Sequence, residues 1–224
     1  MTKPAAISSW SGGKDSCFAL YKAIGDGCRI EYLLNFISKG TGRGCFHGID
    51  GKLMAVQAES IGIPLVQKEV SSDMRRYEDE FKEAVSELKP KGIGAMVFGD
   101  IYLLEHASWV DRVCKDLGIM PVEPLWNMPA AKIVEEFVDL GFKAVIVSCR
   151  ADKLGKEFIG RQIDKGMIGE FESRGVCPCG ENGEYHTLVV DGPIFKRPIR
   201  ILESEPVLKE GFWKHWFLDI KRYE

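Results

Sequence analysis

The feature that most narrows what this chain can fold into is an alternation of short apolar runs with helical patterns. Pro4 to Ser9 reads as a strand, and Cys17, Leu20, Tyr21 and Ile24 then recur at helical spacing. Ile30 to Ile37 reads as a second, buried strand. After a glycine-dense stretch from Ser38 to Gly51, Leu53, Val56, Ser60 and Ile61 give a helical face closed by Gly62, and Pro64 to Val70 makes a third strand. Met74, Tyr77, Phe81, Ala84, Val85 and Leu88 repeat helically up to Pro90. Ala95 to Phe98 forms a fourth strand, and Trp109, Val113 and Leu117 carry a helix up to Gly118. Such a rhythm predicts an α/β fold, a doubly wound and mostly parallel sheet with helices on both faces and right-handed crossovers.

The character changes at Pro121-Val122-Glu123-Pro124, which predicts a first domain over 1–120 and a smaller α+β domain over 121–224. In the second, a helix runs from about Ala130 to Leu140 and a strand from Ala144 to Ser148. Glu184 to Val190 and Ile194 to Leu202 read as paired strands joined by the turn Asp191-Gly192-Pro193, and a last strand runs from Phe212 to Ile220. With no low-complexity linker between them, the two halves are expected to share a cleft.

Bulk properties exclude several classes. A chain of 224 residues with 45% hydrophobic content buries a real core and is not disordered. A net charge of −3 and a pI near 5.9 leave no broad basic surface, so nucleic acid is an unfavoured partner. No apolar run approaches the roughly 20 residues that span a bilayer, so a cytoplasmic protein with no membrane partner is expected. Seven cysteines, an odd number in a chain of this length, are expected as reduced thiols.

The six residues Ser11-Gly12-Gly13-Lys14-Asp15-Ser16 lie between the first strand and its helix. Two glycines let the backbone approach an anion with no Cβ in the way, and a helix N-terminus offers unpaired N–H donors and a positive dipole. Ser11 and Ser16 add hydroxyls and Lys14 a charge. The spacing matches neither the P-loop frame nor the Gly-x-Gly-x-x-Gly frame. In a doubly wound sheet the strand ends converge, so Ser9, the second strand's end around Phe36, and Gly99-Asp100 are expected to face the same crevice. Asp15 and Asp100 are then candidate Mg²⁺ ligands. Asp100 reads equally well as a helix cap. Of the two histidines near that edge, His47 is preferred over His106, and His215, between Trp213 and Trp216, reads as structural.

A second constellation is Cys177-Pro178-Cys179-Gly180-Glu181-Asn182-Gly183-Glu184-Tyr185-His186-Thr187. Acidic, amide, imidazole and hydroxyl groups crowd around glycines just before a strand, which suits a binding loop better than a charged hairpin entry. Cys177 and Cys179 lack the second pair that a structural zinc site needs, and a thiol role would require a lowered pKa.

Together with Phe98-Gly99-Asp100-Ile101, Glu123-Pro124-Leu125-Trp126, Gly160-Arg161-Gln162-Ile163-Asp164 and Val189-Val190-Asp191-Gly192-Pro193-Ile194-Phe195, these two motifs resemble the diphthine–ammonia ligase family of N-type ATP pyrophosphatases. The resemblance runs nearly the whole chain in order. It implies an adenine nucleotide α-hydrolase-like, Rossmann-like core that uses ATP and Mg²⁺ to adenylate the carboxylate of diphthine on elongation factor 2. Ammonium would then be the nitrogen source for the amide, with AMP and pyrophosphate released. Ser11, Gly12, Gly13, Lys14, Asp15 and Ser16 match the pyrophosphate loop, and Glu181, Gly183, Glu184 and Thr187 match the acceptor signature, with Asn182 among them. The family signature often reads Glu-Gly-Gly-Glu with a Glu two places later, whereas Asn182 and His186 stand here. Lys14 and Asp15 are the expected catalytic groups at the phosphates, and Glu181, Glu184 or His186 the expected proton acceptor. The competing expectations are a tRNA-modifying ATP pyrophosphatase that delivers sulfur through Cys177 or Cys179, and a non-catalytic ATP sensor. A homodimer is left open.

Overall fold

The computed structural model describes residues 4–39, 42, 44, 48–71, 74–210 and 214–224. The alternation becomes β1 (Ala5–Ser9), α1 (Lys14–Gly25), β2 (Arg29–Ser38), α2 (Gly51–Ile61), β3 (Leu65–Val70), α3 (Met74–Leu88), β4 (Ile93–Val97), α4 (Leu104–Leu117) and β5 (Met120–Val122). Their sheet has the order β3-β2-β1-β4-β5, and every pairing is parallel. The chain therefore builds outward from β1 through β2 and β3, then crosses to β1's other side for β4. Connections diverge at that reversal and leave a crevice at the carboxyl ends of β1 and β4.

Period-two alternation sends neighbouring residues to opposite faces of this sheet. Leu33 and Val97 pack with Phe18 of α1, while Leu34 and Met96 pack with Phe81 of α3 and Val113 of α4. Gly62 and Gly118 end α2 and α4 in the left-handed conformation, at φ 87° and 62°, which glycine adopts without strain.

The second half supplies α5 (Ala130–Asp139), β6 (Lys143–Arg150), α6 (Gly166–Ser173), β7 (Tyr185–Asp191), β8 (Ile201–Glu210) and β9 (Lys214–Tyr223). Its sheet is antiparallel with order β7-β6-β9-β8. Phe137 stacks on Phe142 at 4.8 Å, and both meet Phe18 edge-on at 6.1 and 6.2 Å. Helix α1 is thus held between the parallel sheet and the second half, which brings the loop at its N-terminus to the junction.

Four expectations need correction. The Pro121 seam begins inside a strand, because Met120 to Val122 pairs with Ala95 to Val97 as a sheet edge, the place where proline's missing N–H is tolerated. Ile194 to Leu202 does not pair back on β7. Pro193 and Pro198 lack ladder donors, one backbone bond joins Ile199 N–H to Val190 at 2.8 Å, and Lys196 N–H instead reaches Ser60 at the end of α2. The true partner of β7 is β6, and β8 pairs with β9, which runs past the expected Ile220 to Tyr223. Helix α6 has no counterpart in the expectation.

Candidate active site

The Ser-Gly-Gly-Lys-Asp-Ser loop is shaped by what lies behind it. Gly12 has φ 76°, and a Cβ there would sit 2.6 Å from Met54 Sδ, so only glycine fits. Gly13 is the extended N-cap of α1 and supplies no capping side chain. The first helical N–H, that of Lys14, donates instead to Thr187 Oγ1 at 3.0 Å, on β7. Ser11 Oγ accepts from Gly13 N–H at 3.3 Å and donates to Ser16 Oγ at 3.0 Å, and Ser16 Oγ donates to the Gly13 carbonyl at 3.1 Å. Across the crevice, Gly99 follows β4 so closely that a Cβ would lie 2.9 Å from the Asp15 carbonyl carbon and Ser16 nitrogen.

Lys14 does not reach into open space. It is buried, with Nζ donating to Asp15 Oδ2 at 2.8 Å and to the Cys179 carbonyl, and lying 5.0 Å above the Tyr185 ring. Burial works against its charge, but Asp15, with Tyr185 and Cys179 adding to it, holds the ammonium well above its ordinary pKa. Asp15 is itself raised, chiefly by burial, with Lys14 pulling the other way. Its second oxygen, Oδ1, is buried with no hydrogen-bond partner.

Glu184 organises the opposing loop. Only 4% exposed, it accepts from Cys177 N–H at 3.1 Å and Asn182 Nδ2 at 3.0 Å through Oε1, and from Asn182 N–H at 3.0 Å through Oε2. Its side chain is committed to three donors, which corrects its expected role as a proton acceptor. Gly180, at φ 68°, packs against the Tyr185 carbonyl, where a Cβ would come within 2.7 Å; Gly183 is also left-handed, at φ 76°. Tyr185 OH donates to the Pro178 carbonyl. Glu181 is the carboxylate that faces the crevice, with Oε1 accepting from Ile101 N–H at 2.9 Å.

Between these two loops lies a cavity of about 530 Å³. Ser9, Ser11 and Asp15 line one side, and Asn182, Gly183 and His186 the other, with Asp100 and Glu181 also on its wall. Ligand atoms of Asp100, His106 and Glu181 lie within 4.8 Å of one another. Asp100 does not cap α4, whose N-cap is Leu103; its Oδ1 meets His106 Nδ1 at 2.9 Å, and that contact raises the His106 pKa. Burial raises Glu181, with Asp15 and Asp100 adding to it and the Ile101 amide opposing. This donor set suits a hard divalent cation at Asp100, and the unpartnered Asp15 Oδ1 is a further buried acceptor beside the same cavity. Of the two histidines expected near that edge, His106 reaches the cavity, whereas His47 lies outside the described residues. Phe36 corrects another expectation: it is a core residue packed 5.3 Å from the Phe81 ring, away from the cavity. His215 is a strand residue of β9, paired with Arg150 and Lys209.

Cys179 is buried, its thiol donates to the Ala130 carbonyl at 3.3 Å, and burial pushes its pKa up, the reverse of what a reactive thiol needs. Gln57 went unnoticed in the sequence. Fully buried in α2, it bonds Trp10, Gly12 and Val189. An amide in a mostly apolar helical face was the available signal.

Fold and site together define a doubly wound α/β protein whose loop-helix site, at the switch point of its sheet, is closed by a loop from a second, antiparallel half. The chain belongs to the diphthamide synthase family: the family's N-terminal domain matches residues 3–121 and its C-terminal domain residues 129–224. Among curated relatives, the diphthine–ammonia ligase of Mus musculus is 27% identical over 88% of this chain and 83% of its own length. That of Danio rerio is 28% identical over 88% and 86%. The Schizosaccharomyces pombe ligase is 27% identical over 88% of this chain, which spans only 36% of that longer protein. A solved structure of a predicted tRNA methyltransferase subunit from Methanocaldococcus jannaschii overlaps 84% of the chain at a TM-score of 0.47 and 15% identity. Among the described residues no helix is long and apolar enough to cross a membrane.

Proposed function

We propose that this protein is an ATP-dependent carboxylate–ammonia ligase that amidates diphthine on elongation factor 2, releasing AMP and pyrophosphate. The observation that carries this reading is the meeting, in one cavity of ligand size, of a helix-terminal glycine loop from the first half and the acidic 180–187 loop from the second. The names of the relatives support the acceptor. In this reading residues 1–120 bind the nucleotide and 121–224 present the acceptor side.

A carboxylate is a poor electrophile. One of its oxygens attacks the α-phosphorus of ATP, the bond to the bridging oxygen breaks, and pyrophosphate leaves with its electrons. Ammonia then attacks the acyl carbon, the acyl–oxygen bond to AMP breaks, and the nitrogen sheds a proton. Glu181 is the acceptor for that proton: it lines the cavity, and its raised pKa suits a base better than an ordinary carboxylate. His186, also on the wall, is the alternative. Amides at the start of α1, with Ser11 and Ser16, stabilise charge growing on the departing phosphates. Lys14 clamps the Cys179 carbonyl and so holds the acceptor loop against the phosphate loop. Asp100, with Asp15, would hold Mg²⁺, which when bound neutralises phosphate charge.

The test is pyrophosphate release from ATP, Mg²⁺ and ammonium with diphthine-bearing elongation factor 2, unmodified factor, or no acceptor. Release with amide formation is expected with the diphthine form only. Release driven by tRNA would move the function to base modification, and ATP binding without release under any acceptor would make the protein a sensor.

A further inference from the structure

Gln57 is fully buried in α2, yet every strong hydrogen-bonding direction of its amide group that the structure records leads to the site. Nε2 donates to the Gly12 carbonyl at 3.0 Å and to the Val189 carbonyl at 2.7 Å, and Oε1 accepts from Trp10 Nε1 at 3.0 Å. These partners come from the end of β1, the glycine loop and β7, three segments that meet only behind the cavity. The Gly12 carbonyl also accepts from Val189 N–H at 2.9 Å, so both its lone pairs are occupied.

The consequence follows from peptide planarity. Directing the Gly12 carbonyl inward fixes the N–H of the same peptide unit, that of Gly13, in the opposite direction, toward Ser11 Oγ on the cavity wall. A Gly-Gly unit has no Cβ to resist rotation of that peptide plane, so an outside clamp must set it. We infer that Gln57 is a positioning residue: by holding the Gly12 carbonyl it points the Gly13 amide at Ser11 Oγ and so fixes the Ser11 hydroxyl on the cavity wall, where an anion would meet it. This rests on the nucleotide-binding reading above. An apolar side chain of the same length would fill the space and leave the Gly12 carbonyl held by the Val189 amide alone.

Gln57→Met provides that test, with folding checked by circular dichroism and urea unfolding. Loss of one clamping bond is expected to weaken binding of inorganic pyrophosphate and raise the KM for ATP about tenfold, with kcat within about twofold. Hydrogen exchange at Gly13 should quicken by about tenfold or more while exchange in the β8–β9 ladder is unchanged. A folded variant with unaltered pyrophosphate affinity and Gly13 exchange overturns the inference. If Gln57→Met does not fold, Gln57→Glu replaces it: burial keeps the new carboxyl protonated, leaving one donor for two carbonyls, and an intermediate affinity is expected, with wild-type affinity overturning the inference. Should the wild type bind neither pyrophosphate nor ATP, the nucleotide reading fails by itself, and Gly13 exchange decides the role of Gln57.

Discussion

The backbone amide of Lys14 donates to the hydroxyl of Thr187 at 3.0 Å, joining residues 173 apart in sequence. A side chain from the second half thus does what an N-cap residue would ordinarily do for α1. Thr187→Val keeps the shape and leaves a buried helical N–H unpaired, so it should cost about 1–2 kcal/mol in urea unfolding. Thr187→Ser should recover most of that, and equal losses in both variants would assign the effect to packing instead.

Gly99 meets the first turn of α1 backbone to backbone. A methyl group at 2.9 Å from main-chain atoms cannot be absorbed by rotating a side chain. Gly99→Ala is expected to destabilise by about 1–3 kcal/mol and to depress ATP turnover by pushing Asp100 away from the loop. Unfolding midpoints and pyrophosphate release measured on one preparation would check both.

Glu181 and Glu184, three residues apart, should separate cleanly by their pH behaviour. The raised pKa of Glu181 means that a base function is lost as pH falls through a value above the usual carboxylate range. Glu181→Gln should lower kcat about 100-fold and abolish that acid limb. Glu184→Gln disturbs the bonds to Cys177 and Asn182 and should cost about 1 kcal/mol in stability, with the shape of the pH profile unchanged. An altered acid limb in Glu184→Gln would return it to the list of proton carriers.

His106 owes its raised pKa first to its bond with Asp100. Asp100→Asn should bring the imidazole back toward its ordinary value, read by NMR titration of the ring protons. The linked stability has a definite sign: it is fully present below the unfolded-state pKa of about 6.5 and fades as pH rises through the higher folded-state value. His106 is largely exposed, so solvent screens the pair and the effect on stability is small. Mg²⁺ should lower the His106 pKa in the wild type by drawing on Asp100, and should not do so in Asp100→Asn.

Much of the first half was legible because its elements announce themselves locally. Period-two strands, helical faces ending at Gly62 and Gly118, and a glycine loop between β1 and α1 need no distant partner to be recognised. What lay hidden was pairing. Nothing local tells β7 to join β6 rather than the segment after Gly192, and Met120 to Val122 is too short, with Pro121 in its middle, to read as a strand. The site shows the same division: residue types at Glu181 and Glu184 are alike in sequence, but only burial and partners assign one to the cavity and the other to the loop. Phe36 stood at the right strand end and pointed the wrong way, and Gln57 carried no motif at all.

Lys14 bonded to Cys179, Gly12 to Val189 and Ile101 to Glu181 have a consequence for dissection of the chain. Cut between Leu117 and Ala130, it would yield two fragments, each displaying one bare wall of the cavity and neither a working pocket. Recovery of activity on mixing them would report their reassociation, so this protein could be switched on by whatever brings two pieces of it together.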